Sequence, residues 1–231
     1  MKRDGRGFTL IEVLAVLAIL GMLAALLTPA VGAAMARARR LRLANQLRQI
    51  AMAHASCQDG PAARRDLERA TNLAEWAAAL AEHSGIGDGS LYTIPDDYLA
   101  LGSPPRSVLS PAPDRRPADD FARFPLAITV IVGLSPGADP STTPLAHSRG
   151  LDPESGTWKP ARGDDGGIYG TDGGWIVFLD GHVQFFHDLR GDGGALAGYG
   201  DGLPTTDIRM AVPPGARALN WKGIVWERPL R

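Results

Sequence analysis

Cysteine is almost missing from these 231 residues: Cys57 stands alone, so no intramolecular disulfide can staple the fold. Charge of either sign is not in excess. The formal net charge is −1, and the chain carries no global basic signal for nucleic acid. Common catalytic signatures are absent too. There is no Gly-x-Ser-x-Gly, no His-Glu-x-x-His, no phosphate loop and no paired-cysteine motif. Asp96-Asp97 and Asp119-Asp120 are adjacent pairs, and neighbours in extended chain point to opposite faces, a poor arrangement for shared acid–base work. These gaps weigh against an enzyme. Glycine (28) and proline (18) are plentiful and concentrate after residue 84, which predicts a loop-rich C-terminal part with short strands.

One long apolar run is present, and it begins at the N-terminus. After Lys2, Arg3 and Arg6 the chain reads Gly7-Phe8-Thr9-Leu10-Ile11-Glu12, and Glu12 is the only charge before Arg37. Phe8–Met35 as helix would extend roughly 42 Å, more than a hydrocarbon core of about 30 Å. A carboxylate within such a span costs about 2.5–3.5 kcal/mol at mid-bilayer on insertion scales, so it needs a reason. Thr9-x-x-Glu12 fits a capping box, which explains a helix start but not its place at the edge of an apolar span. A secretory signal peptide, cut among the small residues Ala30–Ala34, and a plain single-span anchor are the other readings.

Basic leader, glycine, Phe-Thr-Leu-Ile-Glu and an aliphatic helix together resemble the prepilin signal of type IV pilins and pseudopilins. The resemblance implies cleavage after Gly7 by a prepilin peptidase/N-methyltransferase and methylation of the new amine at Phe8. It implies that Glu12 pairs with the Phe amine of a neighbouring subunit, setting axial register. Leu10, Ile11, Val13 and Leu14 would supply packing surface, and Pro29 matches a proline that pilins carry at this distance from the cut. Implied partners are other pilin or pseudopilin subunits, an inner-membrane assembly platform and membrane lipid, with the leader cytoplasmic and the C-terminal domain outside. Charge counting alone favours the opposite topology, because Arg37, Arg39, Arg40 and Arg42 crowd the far end of the span.

The periodicity predicts an α+β chain, and the resemblance implies that it is pilin-like. Residues 1–7 form the leader, 8–35 the transmembrane part of a helix, 36–57 its amphipathic half, and 58–231 a globular domain. The helix should run from about Thr9 to Ser56 with an apolar stripe through Leu41, Ala44, Leu47, Ile50 and His54, and kink or melt near Pro29. A second helix is expected over Ala62–His83, closed by Gly85. Phe124–Leu134 reads as a buried strand, with Thr143–His147 as a partner. Asp180-Gly181 between two apolar runs predicts a hairpin with a type I′ turn, pairing Phe178 with Val183 and Leu179 with His182. Arg209–Val212 and Gly223–Glu227 read as extended, for a sheet of about four strands.

Ile176–Val183, with its Asp180-Gly181-His182 core, also resembles the tail of bacterial pilin-like families described as H-x9-DG, although the position ten before Asp180 is Gly170, not histidine. The glycine-rich acidic loops offer oxygen ligands suited to Ca²⁺, with Asp164, Asp165, Asp172 and Asp192 as candidates, but Asp-Gly pairs equally make turns. No cofactor is required by the family reading. The function it implies is structural: a subunit of a type II secretion pseudopilus or a type IV pilus. The alternative is a membrane-anchored envelope protein that binds Ca²⁺ or DNA outside a filament core, with Arg64-Arg65 or Arg115-Arg116 on phosphate.

Overall fold

The computed structural model describes residues 10–95, 97–111, 113–191 and 194–230. Gly7, Phe8, Thr9 and Asp192 lie outside the described residues. The chain divides into two compact units, Met1–Arg42 and Leu43–Arg231. Helix α1 (Leu10–Cys57) contributes to both. It is helical without interruption through Pro29, so the expected local melting is not seen. The Thr28 hydroxyl donates to the Ala24 carbonyl at 2.7 Å, one turn back along the helix.

In the second unit the last turns of α1 bury Leu43, Leu47, Ile50 and Ala53, the three-to-four spacing of one helix face. Ala44, Leu47, Ile50 and His54 of the expected stripe are buried; Leu41 is exposed, and Gln46 is buried as well. Gln46 earns its place by donating from Nε2 to the carbonyls of Ser90 and Thr93 at 2.7 and 3.1 Å. The expected second helix is two, α2 (Pro61–Arg69) and α3 (Leu73–Ser84). The break follows from capping chemistry. Asn72 Oδ1 accepts from the Glu75 amide at 2.9 Å, and the Glu75 carboxylate accepts from the Thr71 amide at 2.8 Å. Gly85 ends α3 at φ 78°, its amide bonded to the Ala81 carbonyl. A short α4 (Asp119–Arg123) precedes the sheet.

Eight strands follow: β1 (Ile128–Val132), β2 (Pro144–Ser148), β3 (Gly174–Phe178), β4 (Val183–Phe186), β5 (Leu196–Ala197), β6 (Pro204–Thr205), β7 (Arg217–Asn220) and β8 (Gly223–Glu227). Six form one antiparallel sheet in the order β4-β3-β2-β1-β7-β8, larger than the four strands expected, while β5 and β6 pair apart. β8 coincides with the extended segment expected at Gly223–Glu227, while β7, only four residues long, was not expected. Arg209 belongs to a 3-10 turn, Ile208–Ala211, rather than an extended segment.

The sheet is buried on both faces. Ile128, Val130, Val177 and Leu219 join Leu47, Ile50 and Trp76 on the helical side. Ile131, Ile176, Phe178, Phe186 and Ala218 join Trp158, Leu189, Ile208 and Val212, so the C-terminal loops cover the other side. Alternation along β1 and β3 divides the two cores as a pleated strand must. The β3–β4 hairpin is one residue out of the expected register: Val177 pairs with Val183 and Ile176 with Gln184. Gly181 donates to the Phe178 carbonyl at 2.9 Å and the Phe178 amide donates to the His182 carbonyl at 3.0 Å. Gly181 has φ 86°, and Asp180 is not at positive φ, whereas a type I′ turn needs both. The loop is therefore a type I turn closed by a glycine bulge. The shift turns Phe186 into the loop-side core and leaves Phe185 edge-on to Trp175, centroids 5.1 Å apart.

A buried ion pair ties the proline-rich segment to the sheet. Arg149, the residue after β2, places its two terminal nitrogens 2.9 and 2.7 Å from the Asp97 carboxylate oxygens, with both side chains almost fully buried. The same guanidinium donates to the carbonyls of Gly166 and Leu126 at 3.1 Å each. A desolvated charge is tolerable only when its partners are this complete. Gly150 is needed next door: a Cβ there would lie 2.3 Å from the Gly167 Cα.

Removing either partner leaves an unpaired buried charge, so Arg149→Met and Asp97→Leu should each destabilise the fold by about 3–5 kcal/mol. The double variant should cost clearly less than the two together. Denaturant titration of the four proteins checks this, and strict additivity would contradict the assigned pair.

Candidate assembly helix and polar sites

In the first unit, Leu10–Thr28 is long and apolar enough to cross a membrane, and none of that window is buried. Leu10, Ile11, Val13, Leu14, Val16 and Leu17 all expose between 49% and 83% of their surface, and most of the next two turns does likewise. Glu12 sits in the first helical turn, where a carboxylate meets the positive end of the helix dipole. The carboxylate and the packing residues named from the sequence thus lie on one apolar segment. Whether Thr9 caps the helix lies outside the described residues, as do Gly7 and Phe8.

Asp180, Gly181 and His182 are brought together, but by turn geometry. Asp180 Oδ1 accepts from the His182 amide at 2.9 Å and lies 2.6 Å from His182 Nδ1, while the imidazole stacks on Phe178 at 4.1 Å. The three residues lock a hairpin end. The acidic loop residues are not brought together as a ligand shell. Asp164 and Asp165 lie 2.9 and 3.6 Å from Lys222 Nζ, so calcium there would have to displace an ammonium. Asp172 is elsewhere, its carbonyl accepting from His187 Nδ1 at 2.8 Å. Among the described residues no three His, Cys, Asp or Glu side chains converge as a metal site. Cys57 is a buried free thiol at the end of α1.

Two features were not anticipated from the residues. One is the Asp97–Arg149 pair, whose partners are 52 positions apart and carry no local pattern. The other is a cleft of about 410 Å³ lined by His54, Gln58, Asp59, Arg64, Leu134 and Pro140. His54 leans on Trp76, ring centroids 6.1 Å apart, and accepts from Gln58 Nε2 at 2.7 Å. Burial holds its pKa down, from an ordinary 6.5 to about 4. His147, within β2, is lowered to about 4 by burial as well, against the opposing pull of its Nδ1 bond to the Ser148 carbonyl. Its Nε2 has no hydrogen-bond partner among the described residues.

Residues 2–28 match the family model described as the prokaryotic N-terminal methylation motif. That motif takes in the apolar helix segment Leu10–Thr28. The chain fits the type IV pilin and pseudopilin superfamily. No curated protein and no solved structure matches it. The prepilin motif implies processing by prepilin peptidase and assembly with other pilins, and it is consistent with a membrane-anchored, structural chain. Residues 29–231 of this pilin-like chain lie beyond the motif.

The two buried histidines give the pilin-like domain a pH signature. Each has a folded pKa below its unfolded value, so the folded state binds fewer protons. Stability should be full above about pH 6.5 and fall between 6.5 and 4 by on the order of 2–3 kcal/mol per histidine, within other acid effects. His54→Gln and His147→Gln should each flatten that slope in denaturant titrations run across the range. An unchanged slope in both would show that neither imidazole is held neutral.

Proposed function

We propose that this chain is a structural filament subunit, built into a type II secretion pseudopilus or a type IV pilus. It is held as a prepilin in the inner membrane, cleaved after Gly7 and N-methylated at Phe8. The observation that carries the reading is a single carboxylate, Glu12, in the first turn of an exposed membrane-length apolar helix, inside a prepilin methylation motif. Removed to lipid or a dry filament core, that carboxylate needs a cation, and the nearest one the signal would generate is the amine of a neighbour's Phe8. With a reference pKa near 8, that amine is largely protonated at neutral pH.

The remaining features fit a structural role. The polar groups of the domain hold loops and turns together: buried Arg149 on Asp97, buried Gln46 on two carbonyls, and exposed Asp180 on its own hairpin. Partners on this reading are the prepilin peptidase, an inner-membrane assembly platform and other subunits. The C-terminal domain would stand on the outer side of the membrane.

Filaments or pseudopili sheared from the producing cell should contain this chain beginning at N-methyl-Phe8, as read by mass spectrometry. Glu12→Val should insert in the membrane at least as well as the parent, since a costly charge is gone, yet be lost from the sheared fraction. A mature N-terminus near Ala33 would establish a signal peptide. Full recovery of Glu12→Val in filaments would reduce Glu12 to a helix cap.

A further inference from the structure

The cleft beside His54 is built entirely within the second unit. Asp59 enters it from the turn that ends α1, where the Gly60 amide donates to the Cys57 carbonyl at 3.2 Å. Arg64 enters from near the start of α2, its amide donating to the Gly60 carbonyl at 3.0 Å. Much of the remaining wall is apolar: Leu134, Pro136 and Pro140 from the β1–β2 loop, and Leu179 from the hairpin. That wall is anchored. The Leu179 amide donates to the Thr143 carbonyl at 3.1 Å, and the Asp180 amide donates to the Pro140 carbonyl at 2.9 Å.

Both charged groups of the cleft lack a partner of their own. Neither the Arg64 guanidinium nor the Asp59 carboxylate makes a hydrogen bond or ion pair among the described residues. Arg64 is half-buried, so its guanidinium has given up part of its hydration without gaining a carboxylate. The charge balance selects the ligand. Arg64 and Asp59 are the two formal charges on the cleft, and His54, held neutral by burial, adds none. A phosphate would meet Asp59 as a like charge, and a simple cation would meet Arg64. A molecule with a carboxylate at one end and an ammonium at the other satisfies both. An apolar body between them suits the leucines and prolines. Size narrows the choice further. A round space of about 410 Å³ would be about 9 Å across, the reach of an extended dipeptide or tripeptide at about 3.3–3.6 Å per residue.

We propose that this cleft binds short apolar peptides with both ends free, Arg64 taking the carboxylate and Asp59 the ammonium. The site goes beyond the filament role and does not depend on it, since every lining residue belongs to the second unit. Selectivity comes from the two ends together: blocking either one leaves a charge of the cleft unmatched.

The test is calorimetric titration of the full chain in detergent micelles with the dipeptide Val-Leu, its N-acetyl form and its C-terminal amide. Val-Leu should bind, and each blocked form should bind roughly tenfold or more weakly, the usual loss for one charge-assisted hydrogen bond. Arg64→Gln should bind Val-Leu and its amide alike while still discriminating against the N-acetyl form. Asp59→Asn should do the converse. Each comparison is a ratio within one protein, so a change in the fraction folded does not mimic it. No binding by the parent at millimolar peptide overturns the proposal. Equal binding of all three peptides overturns it too, as does discrimination against the amide that persists in Arg64→Gln. Each of these results leaves the filament reading standing, because none touches α1 before Leu43.

Discussion

An apolar helix surface left unburied among the described residues is the constraint on which this protein's behaviour turns. Leu10–Thr28 presents leucine, isoleucine, valine and methionine on every side. At about 25 cal/mol per Å² of apolar surface, leaving such a segment in water is untenable. The segment must be covered by lipid, by other subunits, or by one and then the other. On the proposed function Glu12 would give the transfer direction, because its charge is a liability in lipid and an asset wherever a neighbouring amine is held against it.

The second unit is organised so that its core does not depend on that exposed segment. The amphipathic end of α1 lays Leu43, Leu47 and Ile50 on one side of the six-stranded sheet, and the C-terminal loops seal the other. Burying both faces of a sheet with irregular chain requires that the loops be pinned. Arg149 does this from the end of β2, holding Asp97, Leu126 and Gly166 at once. Gly181 and Gly150, at φ 86° and 98°, adopt backbone conformations that other residues rarely reach.

Legibility in the sequence followed the range of the determining interaction. The long helix, the Gly85 cap, the strand at Ile128–Val132 and the hairpin location were readable, because each depends on residues within a few positions of one another. The break between α2 and α3 was written in Thr71-Asn72-x-x-Glu75, a capping signature masked by continuous helical periodicity on both sides. The hairpin register was missed because Asp-Gly serves two turn types, and only the φ of Asp180 tells them apart. Strand β7 is four residues long and is defined by its pairing with β1, some 85 positions earlier. The Asp97–Arg149 pair had no local mark at all. Of the proposed assembly site, Glu12 and the apolar face were legible as one pattern, and the structure adds how fully that face is exposed.

The central claim is that the exposed face of α1 becomes subunit–subunit interface. A photo-reactive side chain substituted at Leu17, which is 62% exposed, tests it directly in cells that make the filament. Illumination should give a ladder at multiples of the chain's mass, dependent on assembly and absent when Glu12→Val is added. Crosslinks to lipid alone, in cells whose filaments are intact, would contradict the account and leave α1 as an anchor only.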